Sequence, residues 1–491
     1  MCGIVGYVGA QQAAPILLEG LQKLEYRGYD SAGIAVLDGS TIELAKACGE
    51  IKNLLAKTHD GSDLHGYIGL GHTRWATHGA PTEANAHPHV SNDGKFAIVQ
   101  NGIIENFMEL REMLQAKGFR FHSETDTEVI VHLLDMYYTG DGNLKDTVMK
   151  TLGRLEGSYA IGILCADCPE QMFLARNGCP LIIGVGAGEN FFASDVTALV
   201  SHTKNVVYLD DGELAEVRAD GYTVFDCTGK PVHKPVSRVA WDIEAAEKGG
   251  YEHFMLKEIM EQPRAIKSTL DPRVKDHRVV FDELKMTDAQ LMGFNKIMIT
   301  ACGSAFYAGQ AGKYALEKLT HIPVDADLAS EFRYRDPIVD EHTLMIIISQ
   351  SGETADTIAA IREAQSKGAY VLSIVNVVGS TIARISDDVI YTWAGPEIAV
   401  ATTKGYTTQV SVLYLLALYL GEKRGCLSRE EAAKLTDDLM ILPQMVQRAI
   451  DLNPQIAQLA ERYKNNPSLF FIGRNVDYAV CMEGSLKLKE I

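Results

Sequence analysis

The strongest constraint on the fold is a change in the order of strands and helices near residue 241. Before it, short strands dominate, and only two helices are predicted, at 106–117 and 125–138. After residue 296, strands and helices alternate. The predicted strands are 4–8, 32–37, 67–70, 96–100, 159–165 and 181–185, then 297–300, 344–348, 371–375 and 389–393. We therefore expect an α+β sandwich of stacked antiparallel sheets, followed by an α/β doubly wound parallel sheet.

Length and repetition predict the domain boundaries. A chain of 491 residues is too long for one core. We place a first domain at 2–220, a connector at 221–285 with a helix broken by Pro263 and Pro272, and a second domain at 286–428. KIMITACGSAFYAGQ and SLFFIGRNVDYAVCM share a strand–glycine loop–helix layout, which indicates a repeat beginning in 458–491, with a strand at 469–472. This copy stops inside a predicted helix, so we expect the sequence to be incomplete at Ile491.

Composition excludes several classes of partner. The formal net charge of −18 argues against a nucleic-acid or membrane-surface binder. The N-terminus lacks the basic flank of a signal peptide, and the longest apolar run, 410–420, is too short to span a bilayer. Nine cysteines are an odd, sparse set, which favours a reducing cytoplasm over a disulfide framework. Cys165 and Cys168 form a lone CxxC, interpreted as buried strand cysteines.

Cys2 directly follows the initiator methionine. Removal of Met1 would leave a thiol and a free α-amine on one residue. The α-amine has an ordinary pKa of about 7.7–8.0, so it can act as the base toward its own thiol without a histidine. Taken alone, an incidental cysteine after Met1 is the simpler interpretation.

Two later segments supply what an attack on an amide needs. Asn101 and Gly102 offer a side-chain and a backbone N–H to a developing oxyanion, although Asn-Gly is also a common hairpin turn. Arg74, within GHTRWATHG (71–79), suits the α-carboxylate of glutamine, and Asp126 suits its α-ammonium. For both Arg74 and Asp126, the alternative interpretation is an ion pair at the protein surface.

Six stretches, in order, resemble the glutaminase domain of the class II glutamine amidotransferases, which are N-terminal nucleophile hydrolases: CGIVGYVG, LEYRGYDSAG, GHTRWATHG, NAHPHV, NGIIEN and SETDTE. The resemblance implies that Cys2 is the nucleophile and that Asn101 and Gly102 form the oxyanion hole. Around glutamine it implies Arg74, Trp75, Thr77, His78, His87 and Asp126. The histidines at 72, 78, 87 and 89 lack acidic company, and the family uses no metal, so we expect neither metal nor cofactor.

Two strand–helix junctions in the second half carry small polar residues, Ala301–Ser304 and Ser349–Thr354. A doubly wound sheet binds ligands at such junctions, and hydroxyls with free N–H groups suit a phosphate. Helix capping explains one hydroxyl per helix but not Ser349, Ser351 and Thr354 together. The chain has no G-x-x-x-x-G-K-[ST], which disfavours a nucleoside triphosphate.

This half resembles the sugar isomerase (SIS) domain family. With the glutaminase, and with ASEFRYR, SQSGETADT, AVATTKGYTTQ and EGSLKLKE, the pattern resembles the isomerising glutamine–fructose-6-phosphate aminotransferases. The resemblance implies ammonia channelling past Trp75 to fructose 6-phosphate, yielding glucosamine 6-phosphate, in a homodimer or higher homo-oligomer. The implied sugar-phosphate residues are Ser304, Ser349, Gln350, Ser351, Thr354, Val400 and Thr402, and the implied catalytic residues are Glu483, Lys487 and Glu490.

Departures and rival interpretations remain open. Ala305 replaces a frequent hydroxyl residue, Thr402 replaces a usual serine, and KLKE alone would read as a solvated helix face. An amidotransferase that feeds a phosphoribosyl acceptor is disfavoured because no phosphoribosyl diphosphate loop is found. A non-catalytic sugar-phosphate sensor is disfavoured because Cys2, Asn101 and Asp126 are all present.

Overall fold

The computed structural model describes residues 2–25, 28–76, 79–140, 143–239 and 248–491. The chain divides into two compact units, Met1–Ile243 and Glu244–Ile491. The predicted change at residue 241 lies outside the described residues, but the division between the units falls beside it. Each unit is described by itself.

The described residues of the first unit form fifteen strands and five helices. The strands are β1 (Gly3–Val8), β2 (Ser31–Asp38), β3 (Thr41–Cys48), β4 (Ile68–Arg74), β5 (His89–Val90), β6 (Phe96–Ile104), β7 (Gly157–Cys165), β8 (Gln171–Asn177), β9 (Ile182–Val185), β10 (Asn190–Ala193), β11 (Asn205–Tyr208), β12 (Leu214–Arg218), β13 (Gly221–Phe225), β14 (Pro231–Val232) and β15 (Ser237–Arg238). The helices are α1 (Ala13–Leu24), α2 (Ile51–Lys57), α3 (Phe107–Ala116), α4 (Glu128–Tyr137) and α5 (Leu144–Leu152).

Two antiparallel sheets stack face to face in this unit. Their strand orders are β15-β11-β9-β10-β1-β4-β2-β3 and β14-β13-β12-β8-β7-β6-β5. One apolar core lies between the sheets, and two others lie under helices α1–α2 and α3–α5 on the outer faces. In β1, Ile4 and Val8 face the other sheet while Val5 and Tyr7 face the helices, as the period of two requires. The predicted sandwich between helices is confirmed.

The first unit also corrects two details. Strands β13–β15 pair with its sheets, so residues 221–239 of the predicted connector belong to this unit. Helix α4 begins at Glu128, not at Thr125, because the Glu128 carboxylate accepts hydrogen bonds from the backbone N–H groups of His122 and Ser123 at 2.7 Å each. Residues 123–127 are thereby held as a turn before the helix. Cys165 and Cys168 are buried and free, as interpreted, but only Cys165 is a strand residue, since β7 ends there and Cys168 follows in a turn.

The second unit contains seven strands and eleven helices among its described residues. The strands are β16 (Val274–Lys275), β17 (Arg278–Val279), β18 (Lys296–Ala301), β19 (Val324–Leu328), β20 (Thr343–Ser349), β21 (Tyr370–Val375) and β22 (Asp388–Tyr391). The helices are α6 (Phe254–Leu270), α7 (Asp288–Gly293), α8 (Gly303–Thr320), α9 (Ala329–Phe332), α10 (Ala355–Ser366), α11 (Thr381–Ile385), α12 (Lys404–Lys423), α13 (Arg429–Met440), α14 (Leu442–Ile450), α15 (Asn453–Tyr463) and α16 (Val476–Glu490).

A five-stranded parallel sheet, ordered β19-β18-β20-β21-β22, organises this unit. Apolar cores cover both of its faces, one with α6, α8 and α12 and the other with α9–α11. The predicted doubly wound sheet is confirmed. Because β19 and β20 lie on opposite sides of β18, the chain reverses direction across the sheet there. The carboxyl ends of β18 and β20 therefore form the switch point where such sheets bind ligands.

Pro263 does not break helix α6, contrary to the prediction; it lies inside the helix. Proline removes the N–H that would bond the carbonyl four residues earlier. Here the Gln262 side-chain amide donates to that carbonyl, Ile259 O, at 3.0 Å. The neighbouring side chain therefore replaces the lost bond, and the helix continues to Leu270.

The strand predicted at 469–472 is wrong. These residues form no regular structure, and Phe470 and Ile472 are 90% and 87% exposed. No strand among the described residues lies beside them, and an isolated strand has no partner for its backbone groups. The helix predicted after it is present as α16, and it packs against α8. No helix within the described ranges is long and apolar enough to cross a membrane.

Candidate active sites

Cys2 lies at the start of β1, beside the end of β4. The pairing of Gly3 with Thr73 brings Cys2 next to Trp75, whose backbone N–H donates to Cys2 Sγ at 3.3 Å. Burial raises the pKa of the Cys2 thiol, and this donor and the Arg74 charge act against that rise. The thiol is therefore in direct hydrogen-bonding contact with the backbone of Trp75.

Asn101 and Gly102 lie within strand β6, opposite Ala160 and Tyr159, so they do not form a hairpin turn. Asn101 Nδ2 donates to the Cys2 carbonyl at 3.1 Å, which places an amide donor beside Cys2. Gly102 has φ +117°, and a Cβ added to it would lie 2.1 Å from Ser158 O. Only glycine fits there, and its backbone is presented without a covering side chain.

The residues predicted to bind glutamine differ in their surroundings. Arg74 is buried and donates to Gly79 O and Ala80 O, both at 3.1 Å, so its guanidinium holds the loop after β4. Asp126 accepts the Ile104 N–H at 2.8 Å. Trp75 is 39% exposed and meets Tyr29 edge to face. Thr77 and His78 lie outside the described residues.

His87, the last of the predicted residues, is buried, with 5% of its surface exposed. Its Nδ1 accepts the Gln100 N–H at 3.3 Å and its Nε2 lies 3.4 Å from Thr127 Oγ1. Both ring nitrogens therefore have protein partners, and this geometry gives His87 no group directed at glutamine. Within the described ranges, no cluster of three or more His, Cys, Asp or Glu could hold a metal ion.

Sequence reasoning missed the contacts of two residues near Cys2. Asp30 Oδ2 accepts the Ala76 N–H at 2.7 Å and so fixes the backbone next to Trp75. His72 Nε2 lies 3.1 Å from Asn101 Oδ1. Asp30 falls within LEYRGYDSAG, a stretch that carried the family resemblance, but its partner is 46 residues away and no spacing indicates it.

The second candidate site is the loop between β20 and α10. Its hydroxyls bond within the loop: Ser349 Oγ lies 3.2 Å from Thr354 Oγ1, and Ser351 Oγ accepts the Glu353 N–H at 3.2 Å. Gly352 has φ +67°, and a Cβ there would meet Ser380 Oγ at 2.0 Å. No side chain caps the N-terminus of α10, so simple helix capping does not account for these hydroxyls. The first N–H groups of the helix are left for another acceptor.

The other predicted sugar residues lie on three segments of the second unit. Ser304 is in the first turn of α8, at the adjacent strand end. Gln350 O accepts the Asn376 N–H at 3.2 Å, and Asn376 Nδ2 donates to Gly395 O at 2.7 Å, which ties this loop to the segment leading to Val400 and Thr402. Thr402 bonds Glu397, and Val400 is exposed.

Helix α16 brings Glu483, Lys487 and Glu490 onto one face. Lys487 Nζ lies 3.5 Å from Glu483 and 2.5 Å from Glu490. Burial raises the pKa of Glu483, and the nearby Ser304 and the charge of Lys487 oppose that rise. Glu483 is only 5% exposed. Within KLKE itself, Lys487 is partly buried, whereas Leu488, Lys489 and Glu490 are exposed, so most of that stretch is a solvated face.

Glu258, on α6, holds the backbone of the two residues that precede Val400. Its carboxylate accepts the backbone N–H groups of Ile398 at 2.6 Å and Ala399 at 3.1 Å. Burial raises the pKa of Glu258 to about 7, with the nearby Glu397 charge adding to the effect. The folded protein therefore keeps this proton up to about pH 7, whereas the unfolded chain loses it near its ordinary value of about 4.3.

This difference predicts a pH-dependent stability. Between those two values the folded state binds more protons, so the Glu258 contribution falls as pH rises. We expect the unfolding free energy of the parent chain, relative to Glu258→Gln, to fall by on the order of 2 kcal/mol from pH 4.5 to 7.5. Urea unfolding at both pH values measures it, with exposed Glu341→Gln as the control. Parallel pH dependences for the parent and Glu258→Gln would contradict this assignment.

Comparison with known proteins agrees with this geometry. The glutamine amidotransferase domain family matches residues 46–240, and the SIS domain family matches residues 290–419. The two folds and these matches define a glutamine amidotransferase domain joined to a SIS domain.

Relatives that match the whole chain identify the family within this class. The chain is 53% identical to the isomerizing glutamine–fructose-6-phosphate aminotransferase of Caldanaerobacter subterraneus subsp. tengcongensis, covering 100% of this chain and 80% of that relative. The Methanosarcina acetivorans protein of the same name is 48% identical, with 100% and 81% covered. The solved C-terminal domain of glucosamine-fructose-6-phosphate aminotransferase from Francisella tularensis matches at 38% identity and a TM-score of 0.49, covering 50% of this chain and 69% of that one. The chain belongs to the family of isomerizing glutamine–fructose-6-phosphate aminotransferases, and it is an enzyme.

Proposed function

We propose that the Cys2 thiol attacks the side-chain amide of glutamine and releases ammonia. The observation that carries this is the position of Cys2 Sγ, 3.3 Å from the Trp75 N–H, with the Asn101 amide 3.1 Å from the carbonyl of the same residue. After Met1 is removed, the neutral α-amine takes the thiol proton. The sulfur then forms a bond to the amide carbon, whose oxygen takes the displaced electron pair. Collapse to a thioester expels ammonia with that proton, and water releases glutamate.

In this proposal, different surrounding residues bind different parts of glutamine. The Asn101 amide and the Gly102 N–H stabilise the oxyanion. Arg74 pairs with the α-carboxylate and Asp126 with the α-ammonium, with Trp75, Thr77 and His78 around the substrate. His87 does not contact glutamine in this proposal; it contributes through its contacts with Gln100 and Thr127.

The ammonia is used at the second unit, where the substrate is fructose 6-phosphate. Ser304, Ser349, Gln350, Ser351 and Thr354 hold the phosphate, and Val400 and Thr402 contact the sugar. Support comes from the uncapped N-terminus of α10 at the sheet's switch point. Ammonia condenses at C2 of the opened sugar and water leaves. A carboxylate of the Glu483–Lys487–Glu490 group then moves a proton from C1 to C2, giving glucosamine 6-phosphate.

A charge placed in the phosphate loop tests the separation of the two sites. We expect Ser351→Asp to weaken fructose 6-phosphate binding by at least about tenfold, because the new carboxylate repels the phosphate dianion. Sugar-independent glutamine hydrolysis should stay within about twofold of the parent. Calorimetry and glutamate release measure the two effects.

The matched control is Ser366→Asp, which places the same charge at the exposed far end of α10. It should leave both properties unchanged. Unaltered sugar-phosphate affinity in Ser351→Asp would remove the phosphate from this loop, and a parallel loss of glutamine hydrolysis would contradict two independent sites.

The setting of the enzyme is a further part of the proposal. We expect a homodimer or larger homo-oligomer acting in the cytoplasm. The nine cysteines, all of them described and all free, support a reducing compartment. Sedimentation equilibrium would measure the oligomeric state.

A further inference from the structure

A buried imidazole contacts the oxyanion residue from the side opposite the nucleophile. His72, on β4, is 1% exposed, and its Nε2 lies 3.1 Å from both Asn101 Oδ1 and the Gln100 carbonyl. Both neighbours are acceptors, so Nε2 must carry a hydrogen. Burial lowers the pKa of His72 to about 3, and the ring is therefore neutral with its lone pair on Nδ1.

This contact decides which end of the Asn101 amide faces Cys2. With Oδ1 accepting from His72, Nδ2 is directed toward Cys2, whose carbonyl it contacts at 3.1 Å. A flipped amide would set the NH₂ group against the His72 N–H, which would keep only the Gln100 carbonyl as acceptor, and would turn Oδ1 toward the Cys2 carbonyl, so that two acceptors face each other. Such a mismatch of buried groups is costly, so the flipped state is suppressed.

We propose that His72 is a positioning residue for glutamine hydrolysis: it locks the Asn101 amide with its N–H directed at the developing oxyanion. The inference rests on the proposed role of Asn101 as an oxyanion donor. His72 touches neither thiol nor substrate in this scheme, and it moves no proton. Its effect reaches the reaction only through Asn101.

The neighbouring side chains hold His72 in this orientation. His87 stacks on it with ring centroids 4.2 Å apart and an interplanar angle of 18°. Because His87 Nδ1 accepts from Gln100 N, its own hydrogen is on Nε2 and points to Thr127 Oγ1. Thr127 in turn donates to Gln100 Oε1 at 2.7 Å. The chain of donors and acceptors is consistent throughout, so neither ring is free to change tautomer without breaking a bond.

The test compares substitutions that keep or remove the donor. His72→Leu and His72→Asn lack a donor at the Nε2 position, and His72→Gln keeps one. We expect kcat for glutamine hydrolysis to fall about 10- to 100-fold in the Leu and Asn variants, with KM within about threefold, and to recover to within about fivefold in the Gln variant. Equal loss in all three, or none in any, would overturn the proposal.

Two further readouts separate positioning from a general structural defect. Alkylation of Cys2 by iodoacetamide forms no oxyanion, so its rate should be unchanged by His72→Leu. In an Asn101→Ala background, His72→Leu should cause no additional loss of kcat, because its effect passes through Asn101. A slowed alkylation, or losses that add fully, would overturn the inference.

His89→Leu is the matched control for loss of a buried imidazole. His89 packs against His87 and contacts Thr125, not Asn101. Its kcat should stay within about threefold of the parent. If Asn101→Ala itself leaves kcat intact, the proposed function of Asn101 fails. If Asn101→Ala is impaired while His72→Leu and His72→Asn are not, only the present inference fails.

Discussion

Replacing Cys2 with alanine should abolish glutamine hydrolysis, lowering glutamate release by at least about 10⁴-fold. The variant keeps the α-amine, the Asn101 amide and the Trp75 backbone, so only the nucleophile is removed. Stability should change by no more than about 1 kcal/mol, because the thiol contributes hydrogen bonds to Trp75 alone. Glutamate release and thermal unfolding, measured on the same preparation, give the two numbers.

Cys227→Ala is the control for this substitution. Cys227 is an exposed, free cysteine in the same unit, in the turn between β13 and β14. It should hydrolyse glutamine like the parent. Glutamate release by Cys2→Ala at even a tenth of the parental rate would show that another group attacks the amide.

Replacing Asn101 with alanine should lower kcat for glutamine hydrolysis by about 100- to 1,000-fold with little change in KM. The reason is that the side-chain N–H faces charge that exists only in the transition state, whereas glutamine in the ground state gains little from it. Steady-state kinetics of glutamate release measure both constants.

Asn92→Ala is the matched control, because Asn92 donates to Arg120 O at 2.9 Å and contacts no site residue. Its kinetics should be those of the parent. A raised KM with intact kcat in Asn101→Ala would instead make Asn101 a residue that only binds substrate. That outcome would also remove the basis for the role given to His72.

Elements with a clear hydrophobic period could be predicted from the sequence. Strand β1 alternates between two cores, and β20 is a continuous buried run, so both patterns identify strands. Helix α1 was missed because Pro15 and Gly20 weaken its pattern. Its position comes from Leu17 and Leu21 packing against the sheet, a tertiary contact that local propensity does not encode.

The same limit applies to the sites. Cys2, Asn101 and Gly102 could be proposed from the sequence because their chemistry and order are specific. The contacts that support each candidate site join residues far apart in sequence: His72 contacts Asn101 across 29 positions in the first unit, and Glu258 holds Ile398 across 140 in the second. Pro263 shows the converse case, since the rule that proline breaks a helix fails where Gln262 supplies the missing donor.

In the proposed reaction, the N-terminal cysteine freed by removal of Met1 is the nucleophile. This claim is tested most directly by mass spectrometry of the intact protein and its N-terminal peptide after reaction with a glutamine analogue carrying an electrophilic diazoketone in place of the amide. We predict a chain that begins at Cys2, one equivalent of adduct on that residue, and loss of glutaminase activity in proportion to labelling. Full activity in protein that retains Met1, or inactivation with the adduct on a different cysteine, would contradict the claim.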